Sequence, residues 1–238
     1  MMRSICVFCG SSDAVHSDYI TAARSLGILL ADRGIRLVFG GGRTGLMGAV
    51  ADGALSAGGE VIGVIIPSMN NPALAHDGLT RMDVPPDMHA RKARMHELAD
   101  GYIAMPGGFG TFDELFETIT WAQTGAHQKP VGLLNVRNYY APLLAAMDHA
   151  VEEGFIFNEH RNAIACDSDP VKLLEAMAKY DHPHEAVKRW LREEERGLRT
   201  AYFVLRRIAQ NRSNDFSRSV ARRKPCVSAW HNDEYHLS

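Results

Sequence analysis

A short stretch from Pro106 to Glu114, PGGFGTFDE, combines three glycines, one threonine and two carboxylates. Glycines allow a backbone to approach a phosphate closely, and the first amides of a helix can bind an anion. A carboxylate held beside such a phosphate cradle could act on the rest of a bound molecule. The same residues also fit a plainer pattern, because Thr111-x-x-Glu114 is a capping box that would only start a helix.

A second glycine-rich stretch, FGGGRTGLMG, covers residues 39–48. Its G-x-G-x-x-G from Gly40 to Gly45 formally fits the dinucleotide-binding fingerprint. That fingerprint requires an acidic residue at the end of the next strand to hold a ribose, but residues 66–68 read IPS. NAD(P) is therefore disfavoured, whereas a tight turn and a mononucleotide phosphate contact remain open. Two such turns on one sheet edge favour a shared anion site.

The segment MHARKARMHELA at 88–99 carries an arginine in an unexpected place. At 100° per residue, Met88, Met95 and Leu98 lie on one face of a predicted helix, and Arg91 falls within that apolar arc. An unpaired buried guanidinium is too costly to keep, so Arg91 must find a partner. It either snorkels or forms a structural ion pair, or it projects into a cleft where methionines pack on a flat base.

The elements that must position these residues alternate between strands and helices. Strands are predicted at 4–10, 35–41, 60–66, 79–84, within 100–108, at 129–135 and at 162–167, and helices at 17–33, 45–58, 87–99, 112–124, 138–153 and 170–180. This alternation predicts an α/β fold, a Rossmann-like doubly wound parallel sheet with helices on both faces. Ligands in such folds bind outside the carboxyl ends of the strands. The loops at 10–16, 40–45, 67–77 and 106–111 are therefore the expected ligand loops.

Composition limits the classes of partner. The chain of 238 residues is 46% hydrophobic with a formal net charge of −2, which argues against nucleic acid. No apolar run approaches the roughly 20 residues of a membrane span, so we expect no membrane association and a cytoplasmic protein.

Cys6 and Cys9 form a C-x-x-C inside a predicted strand, where they would point to opposite faces and act as core residues. We expect no metal, because no cluster has ligand spacing.

The chain changes character near residue 181. Residues 1–180 are predicted to form the Rossmann-like catalytic domain, and residues 181–238 a helical, partly disordered extension. Within it, 184–211 is charged with helical apolar spacing, and 212–238 is polar with no strong period.

The motifs PGGFGTFDE, MHARKARM and GGGRTGLMG together closely resemble the Lonely Guy (LOG) family, over about residues 3–180. These are cytokinin riboside 5′-monophosphate phosphoribohydrolases, often mislabelled lysine decarboxylases. The resemblance implies hydrolysis of the N-glycosidic bond of N6-modified adenosine 5′-monophosphates, without a cofactor, in a homodimer or larger homo-oligomer. A broader nucleoside 5′-monophosphate nucleosidase and a non-catalytic nucleotide-binding module are the alternatives.

The resemblance also implies roles for particular residues. Arg91 and Glu114 are the implied catalytic pair. Residues expected to hold the substrate are Ser11, Ser12, Gly42, Thr44, Gly45, Met95, Gly107, Gly108, Gly110, Thr111 and Glu117. Met95 would face the base, and Glu117 would contact the ribose unless it is only a helix-surface charge. A decarboxylase would normally need pyridoxal phosphate on a lysine, and neither Lys92 nor Lys129 lies in a recognisable motif for it.

Overall fold

The computed structural model describes residues 2–189 and 192. The strands of this part are β1 Ser4–Phe8, β2 Arg36–Phe39, β3 Val61–Val64, β4 Arg81–Asp83, β5 Gly101–Ala104, β6 Val131–Leu134 and β7 Ile164–Asp167. The helices are α1 Ser17–Asp32, α2 Gly45–Ser56, α3 Met88–Leu98, α4 Phe109–Gln123, α5 Ala141–Glu152, α6 Asn158–Asn162 and α7 Pro170–Ala178.

The strands form one parallel sheet in the order β4-β3-β2-β1-β5-β6-β7 among the described residues. The predicted Rossmann-like fold is therefore confirmed. The order reverses direction between β1 and β5, which are hydrogen-bonded neighbours. The crevice beyond the carboxyl ends of the strands at such a switch point is where open α/β sheets bind ligands.

Helices cover both faces of the sheet. All five residues of β1 are buried, as expected for a parallel strand covered on both sides. Side chains of α1, α2 and α7 pack on one face of the sheet and those of α3, α4 and α5 on the other. Cys9 belongs to the first core and Cys6 to the second, so the prediction that these two thiols point to opposite faces is confirmed.

Some predicted boundaries differ from the observed ones. Helix α4 begins at Phe109 rather than at residue 112, and α6 was not predicted. Residues 184–189 are helical, and Ala186 and Val187 are buried. Except for residue 192, the rest of the predicted 184–211 helix and all of 212–238 lie outside the described residues, so the domain boundary at 180 stays a prediction. No helix in the described part is long and apolar enough to cross a membrane.

Helices α1 and α2 approach each other closely because glycines face the contact. A Cβ atom added to Gly53 of α2 would collide with the backbone carbonyl of Arg24 in α1, and one added to Gly27 would collide with that of Val50. Backbone atoms cannot move aside as the end of a flexible side chain can. The two glycines therefore set the separation of the helices, which pack against β1 and β2.

We expect Gly53→Ala to lower the free energy of unfolding by about 2 kcal/mol, because overpacking a tight contact outweighs the better helix propensity of alanine. Urea denaturation measures the change. Gly78→Ala is the matched control, since its added Cβ would meet only the His76 ring, at 3.4 Å. Equal stability of Gly53→Ala and wild type would contradict the contact.

Candidate active site

A cleft of about 390 Å³ opens at the carboxyl edge of the sheet, around the ends of β1, β2 and β5. Its lining comes from the loop after β1, from Gly40 after β2, from one side of α3 and from the first turn of α4. The volume falls within the roughly 300–1,000 Å³ of small-molecule pockets. Among the predicted site residues, Ser11, Arg91, Gly108, Gly110, Thr111 and Glu114 line this cleft.

The first turn of α4 presents free amides to the cleft. The helix starts at Phe109 after the N-cap Gly108, and the amide of Phe112 donates to the Gly108 carbonyl at 3.1 Å. No described residue accepts a hydrogen bond from the amides of Phe109, Gly110 or Thr111. Free amides at the positive end of a helix dipole form an anion site. This turn is therefore suited to a phosphate.

Thr111 is not the cap of this helix. It lies inside the first turn and is buried, and Gly108 occupies the N-cap position without a side-chain hydrogen bond. The capping-box interpretation of Thr111 and Glu114 is therefore wrong. The Thr111 hydroxyl instead lies against Gly107, where any Cβ atom would collide with it.

The first turn of α2 has no amide left for an anion. The Gly45 amide donates to Asp13 Oδ1 at 2.7 Å, and the Leu46 amide donates to the Gly10 carbonyl at 3.0 Å. The Met47 amide also donates to the Gly10 carbonyl, at 3.3 Å. The prediction of an anion site shared by both glycine turns is therefore wrong for this turn, because protein acceptors already occupy it.

The glycine-rich loop before α2 serves packing instead. Gly45 has a φ of +60°, and a Cβ atom there would lie 2.5 Å from the carbonyl carbon of Ser11. Thr44 Oγ1 donates to the Ser11 carbonyl at 2.7 Å. Of the predicted substrate contacts in this region, Ser12, Gly42, Thr44 and Gly45 are not among the residues that line the cleft. Thr44 and Gly45 instead contact the backbone of the loop that carries Ser11.

Arg91 projects into the cleft and pairs with Glu114. Helix α3 begins after Asp87, whose side chain accepts from the Ala90 amide at 2.8 Å, and this cap fixes the first turn that carries Arg91. Arg91 Nε donates to the Val64 carbonyl at 2.8 Å, and Nη1 donates to Glu114 Oε1 at 2.9 Å. Both side chains are nearly buried, with 11% and 12% of their surface exposed.

Gly40 makes room for the Arg91 guanidinium. A Cβ atom at residue 40 would lie 2.5 Å from Arg91 Nη2. The first glycine of the formal dinucleotide fingerprint is thus needed for an ion pair between α3 and α4. Gly40 also lines the cleft, and its missing side chain leaves room for the Met47 sulfur.

Two opposing effects act on the pKa of Glu114. Burial raises the pKa of its carboxyl, and the Arg91 guanidinium opposes this rise. Arg91 uses only Oε1, and within the described residues Oε2 accepts no hydrogen bond. A buried carboxylate with a free oxygen beside a cleft can accept a proton or face a developing positive charge.

Two predicted contacts lie below the cleft rather than in it. Met95 is buried in the core with Phe8 and Leu115, so the prediction that it faces a bound base is wrong. Glu117 Oε1 lies 3.1 Å from Lys92 Nζ and does not line the cleft. Both residues come about one helical turn after the cleft residue of their helix, and that turn carries them roughly 5–6 Å deeper.

Comparisons with known proteins identify the family. Residues 47–177 match the family model described as "Possible lysine decarboxylase". A probable cytokinin riboside 5′-monophosphate phosphoribohydrolase of Oryza sativa subsp. japonica is 46% identical over 185 residues, covering 78% of this chain and 76% of the relative. A cytokinin riboside 5′-monophosphate phosphoribohydrolase of Arabidopsis thaliana is also 46% identical, over 78% of this chain and 86% of its own length. The chain belongs to the LOG family.

Solved structures extend the LOG fold to other proteins. A molybdenum cofactor binding protein of Rippkaea orientalis is 27% identical with a TM-score of 0.57, and the match covers 75% of this chain and 99% of that one. A molybdenum cofactor carrier protein of Chlamydomonas reinhardtii matches with a TM-score of 0.56 at 22% identity, over 75% of this chain and 100% of that one. At that identity the second likeness concerns the fold alone.

Two tyrosines that sequence reasoning missed hold the loop of Pro106, Gly107 and Gly108, the PGG loop, in this LOG-family chain. Tyr139 OH donates to the Gly107 carbonyl, and Tyr140 OH donates to the Met105 carbonyl at 2.7 Å. The Pro106 carbonyl accepts from the Gly10 amide at 3.0 Å. Sequence patterns do not reveal this contact, because the tyrosines lie in the predicted helix 138–153, about 30 residues beyond the loop. Only the crossover from β6 returns them to it.

The LOG-family cleft also has an apolar wall that sequence reasoning only partly anticipated. Met47, Met69, Met88 and Phe109 line it. Met88 was expected to pack on a flat base, whereas Met47, Met69 and Phe109 had no assigned role. Phe109 is 93% exposed, directly beside the free amides of α4. Methionine and phenylalanine surfaces suit a flat, polarisable ligand.

We expect Phe109→Pro to weaken the binding of inorganic phosphate about tenfold relative to Phe109→Ala. Proline removes one amide donor but is tolerated at the first position of a helix, and Gly108 is already extended. A hydrogen bond to a charged group is worth about 1.5 kcal/mol or more. Titration followed by ³¹P NMR measures both affinities. If the two variants bind phosphate equally, these amides are not the anion site.

Proposed function

We propose that this chain hydrolyses the N-glycosidic bond of nucleoside 5′-monophosphates, with N6-modified adenosine 5′-monophosphates as substrates and a free base and ribose 5-phosphate as products. Relatives at 46% identity are named for cytokinin riboside 5′-monophosphate phosphoribohydrolase activity. The observation that carries the proposal is the Arg91–Glu114 ion pair in the same cleft as the free amides of α4.

In the proposed reaction the 5′-phosphate binds to the amides of Phe109, Gly110 and Thr111, remote from the reacting carbon. This anchoring places the anomeric carbon near Glu114. The bond between that carbon and the base nitrogen breaks, and the electron pair stays on the base. The Glu114 carboxylate stabilises the oxocarbenium-like ribose and takes a proton from the attacking water, whose oxygen bonds to the anomeric carbon. The departing base takes up a proton from solvent and Glu114 releases the one it took, so one water is consumed and the carboxylate is restored.

Arg91 has two roles in this scheme. It pairs with Glu114 and so favours the ionised carboxylate that the reaction needs. Its Nε is bound to the Val64 carbonyl, so the guanidinium is held in place rather than free to follow a ligand. A fixed cation beside the carboxylate needs little rearrangement during the reaction.

The decarboxylase description of the family model has no counterpart in the placement of the two candidate lysines. A Schiff-base lysine must face the ligand cleft. Lys92 Nζ is paired with Asp113 and Glu117, and Lys129 Nζ donates to the His96 carbonyl at 2.6 Å. No lysine lines the cleft in the described part of the chain.

A comparison of substrates tests the proposal against its alternatives. The protein is incubated with AMP, N6-isopentenyl-AMP and CMP, and the free base is measured by chromatography. A higher kcat/KM for the prenylated nucleotide supports the proposed substrate class, and similar values for all three favour a broader nucleosidase. Saturable binding without any base release would instead leave a nucleotide-binding module, and the 27% identical protein of known structure is named for binding a molybdenum cofactor.

We also propose that the chain works in the cytoplasm as a homodimer or larger homo-oligomer. Two exposed phenylalanines that do not line the cleft support self-association, because covering their rings with a second copy of the chain would remove apolar surface from water. Phe116 and Phe155 are 44% and 82% exposed. Light scattering on the purified full chain measures the assembly.

We expect Glu114→Gln to reduce kcat about 10³-fold while AMP affinity changes less than threefold, because the amide keeps the shape but can neither take a proton nor carry negative charge. Steady-state kinetics and calorimetric binding measure the two effects. Glu97→Gln is the matched control, since Glu97 is exposed and pairs only with Arg94 among the described residues. Full activity of a folded Glu114→Gln would remove Glu114 from the mechanism.

A further inference from the structure

Lys92 is a buried cation that the proposed reaction does not use. It follows Arg91 on α3, and only 10% of its side chain is exposed. Its Nζ lies 3.1 Å from Asp113 Oδ2 and 3.1 Å from Glu117 Oε1, both on α4. Lys92 does not line the cleft, so it does not hold substrate directly. A nearly buried ammonium is retained only where its charge is compensated.

The partners of Lys92 flank Glu114. Asp113 comes one residue before Glu114 and Glu117 three residues after it, so a single ammonium contacts α4 on both sides of that carboxylate. The neighbouring Arg91 contacts Glu114 itself at 2.9 Å. Consecutive cations of α3 therefore bind consecutive carboxylates of α4. Any slide of one helix along the other that separates Arg91 from Glu114 must also break the contacts of Lys92.

We propose that Lys92 is a positioning residue for Glu114: it fixes α3 against α4 so that Arg91 meets the carboxylate, and it supplies positive charge that keeps the carboxylate ionised. The inference rests on the proposed role of Glu114 in hydrolysis, and it adds a residue that acts through another.

The charges around Glu114 show what Lys92 contributes to the site. The titratable and charged groups that influence Glu114 or lie beside it are Arg91, Lys92 and His96 from α3, Asp113 and Glu117 from α4, Cys6 of β1, and Cys9 just after that strand. Burial lowers the pKa of His96 to about 4 and raises the pKa of both thiols, so these three groups are neutral near pH 7. Two cations therefore face three carboxylates, and removal of Lys92 leaves one.

The charge on Lys92 is secure in this setting. Burial alone would lower the pKa of Lys92, but its hydrogen bonds with Glu117 and Asp113 outweigh that effect and leave the pKa raised. Burial raises the pKa of Glu114, and the charges of Arg91 and Lys92 both oppose the rise. Lys92 thus favours the ionised form of Glu114, to a smaller extent than Arg91, although the two side chains do not share a hydrogen bond.

Lys92→Met separates this role from a purely structural one. Methionine has a similar length and no charge. We expect the pKa of Glu114 and the acidic limb of kcat/KM to move to higher pH by about one unit, because Asp113 and Glu117 would then lie beside Glu114 without their cation, and uncompensated like charges raise the pKa of a carboxyl. At a pH below that limb, the kcat of Lys92→Met should be about tenfold lower than that of wild type. Its KM should change less than twofold, because Lys92 does not touch substrate. Lys92→Arg should restore both values.

Two readouts keep the inference independent of the proposed function. Steady-state kinetics across pH gives the limb, and ¹³C NMR of glutamate-labelled protein gives the Glu114 pKa directly, with the resonance assigned from the Glu114→Gln spectrum. Arg94→Met is the matched control, because it removes a half-exposed cation of α3 that pairs with Asp83 and Glu97. We expect it to leave both readouts unchanged.

The outcomes are distinct. A folded Lys92→Met with an unchanged Glu114 pKa overturns the inference. If Lys92→Met does not fold, Lys92→Gln takes its place, because glutamine keeps a hydrogen-bond donor for the two carboxylates but carries no charge. The same upward shift is expected, and an unmoved pKa in that variant is equally decisive. If wild type releases no base from any nucleotide, the proposed function fails, while the NMR titration still decides the role of Lys92.

Discussion

The rest of this site depends on the nearly buried ion pair between Arg91 and Glu114. Arg91 and Glu114 lie on different helices, and each is close to 90% shielded from solvent. Such a pair is stable only with good geometry and with its remaining hydrogen-bonding groups satisfied, because desolvation offsets most of the Coulomb attraction. Gly40 leaves space for the guanidinium, the Val64 carbonyl accepts a hydrogen bond from Arg91 Nε, and the Asp87 cap fixes the first turn of α3. Breaking a buried pair on one side typically costs about 3–5 kcal/mol, so these supports are structural requirements as well as functional ones.

Two strand-to-helix turns in this sheet share a glycine-rich composition but differ in their chemistry. The turn before α2 uses Asp13 and the Gly10 carbonyl to satisfy its amides, whereas the turn before α4 leaves its first amides free. The difference arises outside both motifs, in the loop after β1 that lies between them. The Asp13 carboxylate and the Gly10 carbonyl of that loop accept hydrogen bonds from the first amides of α2. The Gly10 amide donates to the Pro106 carbonyl and so supports the PGG loop without covering the α4 amides. A glycine pattern therefore indicates where a backbone can approach a phosphate, and the neighbouring loop decides whether one can bind.

The sequence predicted the fold well because parallel strands buried on both faces are continuous apolar runs, and all seven described strands fall within or near the predicted ones. The need for Arg91 to find a partner was also predicted, from its place in an apolar arc. Helix α4 was predicted to begin too late, because glycine has low helix propensity and hides the first turn that carries the free amides. Met95 and Glu117 were misplaced for another reason: helical periodicity gives the face on which a residue lies but not its depth below the sheet edge. The tyrosines behind the PGG loop depend on a crossover that no local pattern reveals.

One rigid element carries both ends of the proposed chemistry. The Phe109 amide and the Glu114 carboxylate lie five residues apart on α4, which corresponds to roughly 7.5 Å along the helix axis. A phosphate on the first turn and a sugar carbon beside the carboxylate would therefore be positioned by the same hydrogen-bonded backbone rather than by two independent loops. The cations that α3 brings to α4 then oppose the rise in the carboxyl pKa that burial causes, and the β5–α4 loop determines how the amides face the cleft. The apolar wall of Met47, Met69, Met88 and Phe109 is left to meet the uncharged end of the ligand. Because the anion site and the carboxylate are fixed relative to each other, differences in that wall can change which base is accepted without disturbing the groups that break the bond.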